Sequence, residues 1–420
     1  MFSFVEGSYW SPRRSWEFVD CSMPMTFDTY SNCGYNCLYC FSTFQRSIGW
    51  PKEDYLQKKV KKVDVEKIKR MFLDPDKYAG QFAGYIKGRY VLQRGWLSDP
   101  FCPIEEEGEI GLELLKFFNE IKYPVRFSSK SDLILRDERY FNEFVKGKDY
   151  FAYMASIITW DSEIAKKLEA GTPSPQRRME VLKKLWDAGV YTILRLRPYI
   201  VGITDKTVAD VINEAGKAGV KAMSTEFFCV EWRSTPLIRS KFGMISDLCW
   251  FDIFQFYKKH SNTVCYMRLS REFTRPYMDE LVKLCAKNNI KLAVSCPKHK
   301  EKTFGYSCCW MPMEWPLANT HKWQYTYALM VAKERWVVMR SDIEKYSILD
   351  KIGRAKAYGF NRGNGKITAK NRDMSLKDEL RELRNNPKRQ NSPYKLFEGV
   401  LVPKGTDENG DIIYFYNPKA

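Results

Sequence analysis

The chain has 420 residues, of which 44% are hydrophobic, 15% aromatic and 28% charged. This globular composition argues against a disordered or fibrous protein, and the length allows one large α/β barrel or two ordinary domains. Lys and Arg number 68 against 51 Asp and Glu, a formal net charge of +17. Such an excess favours a polyanionic partner, with nucleic acid favoured over a membrane.

The N-terminal sequence lacks the pattern of a signal peptide, and no stretch approaches the roughly eighteen apolar residues of a membrane helix. We therefore expect a cytoplasmic protein without a membrane partner. Cysteines stay reduced in that compartment, so a tight cysteine cluster indicates metal binding or catalysis more than disulfides.

Short apolar runs alternate with helical patterns along the chain, which is typical of parallel β/α units. We predict an α/β fold with a partial (β/α)6 TIM-like barrel, whose active-site residues would lie at the carboxyl ends of the strands. The predicted strands are Met23–Tyr30, Ala83–Gln93, Val125–Ser129, Phe151–Ile157, Tyr191–Tyr199 and Lys221–Phe228. The predicted helices are Ile110–Ile121, Pro175–Ala188 and Lys206–Ala218.

The pattern changes beyond about residue 235. Helical patterns over Leu248–Lys259 and Phe273–Asn288 precede a strand-like KLAVSC, which is either a seventh β/α unit or part of an appended subdomain. We therefore expect a barrel core at 1–235, a C-terminal α/β extension at 236–350 and a basic, loosely folded tail at 351–420. The tail could end in a hairpin over ENGD.

Three cysteines, Cys33, Cys37 and Cys40, lie within eight residues directly after the first predicted strand. A C-x3-C-x2-C spacing lets three thiolates hold one face of a cubane iron–sulfur cluster and leaves the fourth iron open for chemistry. A zinc knuckle that takes its fourth ligand from elsewhere in the chain is the alternative.

This motif, with Tyr39 before the last cysteine and Phe41 after it, resembles the signature of radical S-adenosylmethionine (SAM) enzymes. The resemblance implies a [4Fe–4S] cluster that binds SAM at its open iron and reduces it to give a 5′-deoxyadenosyl radical. It also implies an electron donor such as a flavodoxin or ferredoxin.

Three further blocks are similar to spore photoproduct lyase and its wider group of DNA-repair lyase-like proteins: Gly95–Glu105, Val125–Glu138 and Lys166–Asp205. The match covers roughly residues 25–210, about half of the chain. It implies that Ser98, Lys130 and Ser156 contact the methionyl end of the cofactor, and that Tyr39 and Phe41 lie near its adenine. Asp99 and Arg197 are further candidate cofactor-binding residues.

The residues themselves leave other roles open. Lys130 could be a surface lysine, either serine could cap a helix, and Glu169 could belong to a turn only. Arg195 and Arg197 alternate on one strand and therefore face the same side. If that side is the barrel lumen, they suit a phosphate or carboxylate; if it is the helix layer, they would pair with Asp or Glu.

Spore photoproduct lyase has a hydrogen-donating cysteine two residues before the Ser-Asp pair, where this sequence has Trp96. Thymine-dimer repair is therefore in doubt, and base modification or isomerisation is at least as compatible with the sequence. Other cysteines could donate hydrogen or hold a second iron–sulfur cluster, although for Cys102 a buried, inert thiol is the favoured interpretation. These candidates are Cys102, Cys296, Cys308 and Cys309.

The region Ser307–Trp323 concentrates tryptophans near lysines, which suits either base stacking or the core of a subdomain. We predict a radical SAM enzyme that modifies, isomerises or cleaves a nucleic-acid base, with DNA favoured over RNA. One alternative is a radical SAM enzyme acting on a peptide or protein, with an auxiliary cluster. Another is a zinc-stabilised nucleic-acid-binding module without catalysis.

Overall fold

A computed structural model describes residues 2–5, 12–14, 23, 25–42, 59–231, 236–263, 266–305, 307, 309, 324–345 and 376–420. The chain forms two compact units. The first unit comprises Met1–Pro12, Thr26–Val65 and Gln93–Cys296, and the second comprises Arg13–Met25, Glu66–Leu92 and Pro297–Ala420.

Seven of the eight strands of the main sheet lie wholly or mostly in the first unit. They are β1 (Met25–Phe27), β2 (Leu92–Arg94), β3 (Val125–Ser129), β4 (Phe151–Ser156), β5 (Tyr191–Tyr199), β6 (Ala222–Phe227) and β7 (Lys291–Val294). Strands that follow each other along the chain are neighbours in the sheet, and the pairs from β3 to β7 are parallel. This is the predicted α/β architecture of a partial TIM-like barrel, with seven strands where six were predicted.

Five helices of the first unit are α1 (Ile110–Glu120), α2 (Glu138–Lys146), α3 (Pro175–Asp187), α4 (Val208–Lys217) and α5 (Arg271–Lys287). Side chains cap the starts of α2, α3 and α5. For α3, the Ser174 hydroxyl accepts a hydrogen bond from the Arg177 backbone N–H at 3.2 Å, and Pro175 occupies the first turn. The other helices of this unit are Pro103–Gly108, Leu133–Arg136, Ser162–Leu168, Pro236–Cys249 and Ile253–His260, with a 3-10 turn at Thr204–Lys206.

Aromatic side chains fill the layer between the sheet and its helices. The Phe127 ring of β3 lies 5.0 Å from that of Phe144 on α2, and Phe144 lies 5.5 Å from Tyr153 on β4. Side chains alternate along a strand, so the neighbours of Phe127 and Tyr153 face the opposite side, the barrel lumen. On β4 this places Met154 and Ser156 toward the lumen.

The predicted strands at Val125–Ser129 and Tyr191–Tyr199 are confirmed to the residue. The predicted strand at Ala83–Gln93 is wrong over most of its length, because Ala83–Lys87 forms a helix and only Leu92–Arg94 is extended. The Gly88 backbone N–H closes this helix on the Gly84 carbonyl at 3.0 Å. Gly88 therefore separates two apolar runs that the sequence pattern had merged.

The strand-like KLAVSC forms β7, which pairs in parallel with β6, so the first unit continues to Cys296 instead of ending near residue 235. The single helix predicted over Leu248–Lys259 is two helices. Trp250 interrupts it in the left-handed region at φ +68°, and Asp252 starts the second helix by accepting from the Phe254 and Gln255 backbone N–H groups at 2.8 and 3.0 Å.

Short strand pairs complete the first unit: Ser3–Phe4 with Lys59–Val60, Asn36–Cys37 with Glu169–Ala170, and Cys229–Glu231 with Tyr266–Arg268. A further short strand, Arg13–Arg14, belongs to the second unit. No helix in the described part of the chain is long and apolar enough to cross a membrane.

The second unit contains a three-stranded antiparallel sheet of Val337–Val338, Ile412–Tyr416 and Leu401–Thr406. Its helices are most of Val65–Leu73, then Pro75–Tyr78, Ala83–Lys87, Tyr325–Arg335, Arg340–Glu344, Leu376–Arg384 and Pro393–Leu396, with 3-10 turns at Gly80–Phe82 and Pro297–Lys302. The hairpin predicted over ENGD is confirmed.

Residues 376–420 are folded and do not form the loose tail that was predicted. Asp411 connects the hairpin to two helices. The Asp411 carboxylate pairs with Arg340 at 2.8 Å and Arg381 at 3.0 Å, and it accepts from the Asn385 amide at 2.5 Å. A buried carboxylate with several donors fixes the segments that carry them. Residues 351–375 lie outside the described residues.

Candidate functional site

The three cysteines of the motif lie on a loop that follows β1 in the first unit. Backbone pairing attaches this loop to the segment after the helix Ser162–Leu168: Asn36–Cys37 pairs with Glu169–Ala170, and the Leu38 N–H donates to the Leu168 carbonyl at 2.9 Å. The Cys40 N–H donates to the Cys37 carbonyl at 3.2 Å, which turns the chain between those two cysteines. The loop therefore has a defined backbone path.

The thiols of this loop lie close enough to affect each other's protonation. Burial raises the pKa of Cys37, the Lys130 ammonium opposes this, and Glu169, Cys40 and Cys33 raise it further. The Cys102 thiol is the main reason that the pKa of Cys33 is raised, and burial adds to it. Cys33, Cys37 and Cys40 thus form one electrostatic neighbourhood, and Cys102 lies beside it.

A second lysine approaches the same loop. The Lys241 ammonium donates to the Asn36 side-chain oxygen at 2.9 Å and to the Cys37 carbonyl at 3.5 Å. Burial lowers the pKa of Lys241, whereas the Cys40 and Cys37 thiols act in the opposite direction. The sequence analysis missed Lys241, because it is separated from the loop by some two hundred residues and no local pattern connects the two.

The donor set fits an iron–sulfur cluster. Three thiols on one loop are suitable ligands for a [4Fe–4S] cluster, and Lys130 and Lys241 supply positive charge that would offset a tris-thiolate site. Among the described residues, no three Cys, His, Asp or Glu side chains form a group able to hold a metal ion.

Glu169 is a buried anchor of the site, and turn chemistry alone does not account for it. Its carboxylate accepts a hydrogen bond from the Tyr39 hydroxyl and pairs with Arg178 at 2.6 Å, with Glu169 and Arg178 side chains at most 1% exposed. Burial by itself would raise the pKa of Glu169, but Arg178, Lys130 and these hydrogen bonds outweigh it, so the pKa lies below its usual value. Tyr39 is therefore held at its hydroxyl end.

Arg178 extends this network to β4. Its guanidinium donates to the Ser156 carbonyl at 2.7 Å, in addition to pairing with Glu169. The sequence analysis missed Arg178, which sits within the amphipathic helix α3 as one of several charged residues. Only its burial identifies it as part of the site.

The loop after β2 is fixed by a residue that follows β1. One carboxylate oxygen of Asp28 accepts from the backbone N–H groups of Trp96, Leu97 and Ser98 at 2.9, 3.0 and 3.1 Å. The Ser98 hydroxyl donates to the Tyr30 carbonyl at 3.1 Å. Ser98 is therefore buried between the two loops, and it does not cap a helix.

Asp99 organises the next loop. Its carboxylate accepts from the Ser129 hydroxyl at 2.7 Å and from the Lys130 backbone N–H at 2.6 Å. Burial raises its pKa, although these hydrogen bonds act in the opposite direction. The Lys130 ammonium lies 5.5 Å from the centre of the Tyr39 ring, so Lys130 contacts the cysteine loop and is not a separate surface lysine.

Trp96 stands beside the cysteine loop. Its ring centre lies 6.2 Å from that of Phe41, with the two rings tilted by 55°. The Trp96 indole therefore contacts the residue that follows Cys40.

The two arginines of β5 face the lumen. The Arg195 guanidinium donates to the Ser156 hydroxyl at 3.1 Å, and Ser156 faces the lumen because Tyr153, on the opposite face of β4, packs on the helix layer. Arg197 forms an ion pair with Glu226 of β6 and donates to the Ser295 hydroxyl at 3.4 Å. The choice between lumen and helix layer is therefore decided for the lumen, although Arg197 does pair with a carboxylate.

The remaining candidate cysteines that the structure describes are buried. Cys102 is fully buried before the helix Pro103–Gly108. Cys296 is buried after β7, near Cys229. The pKa of Cys229 is raised to about 12, mainly by burial and further by Glu226 and Cys296, while Arg268 lowers it. Cys309 is buried in the second unit, and Cys308 lies outside the described residues. Of the segment 307–323, only residues 307 and 309 are described.

Known proteins share this fold at low sequence identity. No protein-family model matches the chain. The uncharacterized protein MJ0683 of Methanocaldococcus jannaschii is 24% identical over 270 residues, which are 64% of this chain and 88% of that protein. A cysteine-to-serine variant of spore photoproduct lyase superposes with a TM-score of 0.51 at 13% identity, over 69% of this chain and 81% of that one.

A double variant of spore photoproduct lyase, with bound S-adenosylmethionine and dinucleoside spore photoproduct, superposes with a TM-score of 0.48 at 14% identity, over 67% of this chain and 79% of that one. The chain therefore shares its fold with spore photoproduct lyase, the group that the sequence resemblance predicted.

Proposed function

We propose that this chain is a radical SAM enzyme that acts on a nucleic-acid base, with DNA favoured over RNA. One observation carries the proposal: a Cys33–Cys37–Cys40 loop follows the first strand of a radical SAM fold, with the Lys130 and Lys241 ammonium groups beside its thiols. The loop supplies three thiols, whereas a structural zinc site takes four ligands.

The three cysteines would hold a [4Fe–4S] cluster, which when bound supplies the electron that cleaves SAM to a 5′-deoxyadenosyl radical. The chain's own residues hold the reactants. Lys130 can pair with the carboxylate of the cofactor, and Glu169 keeps Tyr39 in place next to Lys130. Ser98, Asp99 and Ser156 form hydrogen bonds that hold the loops and the strand end around the cysteine loop.

Three features support a nucleic-acid substrate. The net charge of +17 favours a polyanion, the sequence blocks resemble a DNA-repair lyase group, and the lumen carries arginines. Trp96 in place of a donor cysteine favours a base modification or isomerisation at least as much as a repair reaction. Among the candidate hydrogen donors, Cys102 lies beside Cys33 and raises the pKa of that thiol.

The test is an anaerobic assay of the reconstituted protein. Dithionite and SAM are added with and without DNA or RNA, and 5′-deoxyadenosine is measured together with the mass of each base after nuclease digestion. We expect about four irons per chain, cleavage of SAM that a nucleic acid increases, and a base of altered mass. An iron content of about eight would instead indicate a second cluster and favour the peptide-modifying alternative.

Matched variants separate the cluster from general folding effects. Cys37→Ala should lose iron and 5′-deoxyadenosine formation together. Cys285→Ala, which removes a buried thiol on α5, should retain both. Absence of SAM cleavage by protein that carries the expected iron would overturn the enzyme assignment, and cleavage that no nucleic acid changes would overturn the substrate assignment alone.

A further inference from the structure

The lumen of the barrel holds a concentration of arginine side chains. Arg195 and Arg197 on β5 face it, and Arg126 on β3 faces it as well because it alternates with Phe127, which packs on α2. Arg268 reaches the same place, since its guanidinium lies 3.3 Å from Glu226. We call Arg126, Arg195, Arg197 and Arg268 the lumenal arginines.

The acidic groups near these arginines are unevenly distributed. Glu226 pairs with both Arg197 and Arg268, so one carboxylate serves two guanidinium groups. Arg195 makes a single hydrogen bond, to the neutral Ser156 hydroxyl, and no ion pair with any described residue. Arg195 is half-buried, and a partly desolvated guanidinium without a counter-charge is unfavourable, so an anion that binds there stabilises the site.

The electrostatics of Arg195 agree with this. Burial, followed by the charges of Arg197 and Arg126, lowers the pKa of Arg195 to about 9, while Tyr39 and Glu226 oppose the shift. Arg195 therefore remains protonated at neutral pH. The shift has the direction expected for a cation that is partly removed from water and also lies next to other cations.

Arg195 also lies close to the candidate reaction site. The hydroxyl of Ser156 accepts from Arg195, and the carbonyl of the same residue accepts from Arg178, which pairs with the Glu169 that holds Tyr39. Three residues, Ser156, Arg178 and Glu169, therefore connect an anion-binding Arg195 to Tyr39 of the cysteine loop. A guanidinium is well suited to bind an oxyanion through two parallel hydrogen bonds.

We propose that Arg195 binds a backbone phosphodiester of the nucleic-acid substrate and thereby positions the adjacent nucleoside in the lumen. This inference rests on the proposed function, because it assigns a group of that substrate. Arg197 is less suited to the role, since Glu226 already neutralises it. The carboxylate of SAM is the other oxyanion that could occupy this position, and the experiment distinguishes the two.

The experiment measures two affinities of the anaerobically reconstituted holoenzyme. The first is for a fluorescent single-stranded oligothymidylate with natural linkages or with uncharged methylphosphonate linkages. The second is for radiolabelled SAM by equilibrium dialysis. Arg195→Gln should weaken binding of the natural oligonucleotide about tenfold and leave binding of the methylphosphonate oligonucleotide and of SAM unchanged. Arg195→Lys should retain part of the affinity, because it keeps the charge without the paired geometry.

Arg139→Gln is the matched control, since Arg139 is an exposed arginine in surface ion pairs with Glu109 and Asp137, and it should change neither affinity. A variant Arg195→Gln that loses SAM affinity instead would assign the site to the cofactor and overturn the proposal. Unchanged binding of both ligands would also overturn it. If the unmodified enzyme cleaves SAM but binds no oligonucleotide, the nucleic-acid assignment itself fails, and the phosphodiester assignment with it.

Discussion

At the scale of single residues, the candidate site depends on carboxylates that bind other side chains and backbone groups of the protein. Glu169 holds Tyr39 and Arg178, Asp28 holds three successive N–H groups, and Asp99 holds the backbone of Lys130. Carboxylates with several charge-assisted or backbone hydrogen bonds are rigid and geometrically specific. We infer that these three side chains position the groups that would contact the cofactor.

Glu169→Gln should destabilise the protein strongly. The change leaves Arg178 buried without its counter-charge, and loss of one partner of a buried pair costs about 3–5 kcal/mol. The free energy of unfolding, measured by urea denaturation, should fall by that amount. Glu180→Gln is the control, because Glu180 pairs with Arg177 at 2.7 Å but is 59% exposed, and its loss should cost less than about 1 kcal/mol.

The same pair predicts a pH dependence. The pKa of Glu169 is lower in the folded protein than in the unfolded chain, where a glutamate titrates at about 4.3. The stabilisation is therefore fully present above that pH and is lost as the pH falls through the folded-state pKa. The stability difference between the natural protein and Glu169→Gln should shrink below about pH 4.3; a difference that is constant down to acid unfolding would contradict the role given to this carboxylate.

At the scale of elements, the site is formed where loops cross the carboxyl ends of neighbouring strands. The loop after β2 passes so close to the end of β3 that a Cβ atom at Gly95 would lie 2.2 Å from the Ser128 carbonyl oxygen. Gly95 also has φ +84°, a conformation that other residues adopt at a cost. A glycine is required at this crossing because two backbones meet there.

Gly95→Ala should lower the free energy of unfolding by at least about 2 kcal/mol, since it combines the unfavourable φ with a clash against backbone. Iron incorporation should fall with it, because the displaced loop carries Trp96 and Ser98. Urea denaturation and iron analysis of the purified variant measure the two effects.

Gly243→Ala is the counterpart on the helix Pro236–Cys249, where an added Cβ meets nothing within 4 Å. It should raise the free energy of unfolding by about 0.5–1 kcal/mol, because alanine favours a helix over glycine. Similar losses for both variants would show that the crossing is not what makes Gly95 necessary.

At the scale of the whole molecule, the excess of 17 positive charges should act on any polyanionic partner. Each phosphate that the protein neutralises on a single strand contributes about −0.7 to the slope of log affinity against log salt. A site of three or more phosphates, one of them at Arg195, predicts a slope steeper than about −2.

Fluorescence anisotropy with a labelled single-stranded DNA measures this slope between about 50 and 200 mM salt. We expect affinity to fall by more than about tenfold over that range, and the methylphosphonate oligonucleotide to show little salt dependence. A slope near zero for the natural oligonucleotide would mean that the surplus charge does not serve nucleic-acid binding.

Much of the fold could be predicted from sequence, because apolar runs and helix caps are local. Strands at Val125–Ser129 and Tyr191–Tyr199 and the start of α3 at Pro175 agree with the structure. The strand predicted at Ala83–Gln93 was wrong because a short helix and a short strand both show as apolar runs. Only the helix end at Gly88 separates the two. The tail at 376–420 seemed polar, yet one carboxylate, Asp411, organises it.

The sequence by itself determined the candidate chemistry: the spacing of Cys33, Cys37 and Cys40 and the resemblance built around it, because thiol spacing within one loop is a local property. Only the tertiary structure decided what surrounds that loop. Lys241 and Arg178 come to its surroundings from distant segments, and Arg195 faces the lumen without a carboxylate partner among the described residues. Burial and charge balance arise from the packing of several strands, and no single stretch of sequence contains them.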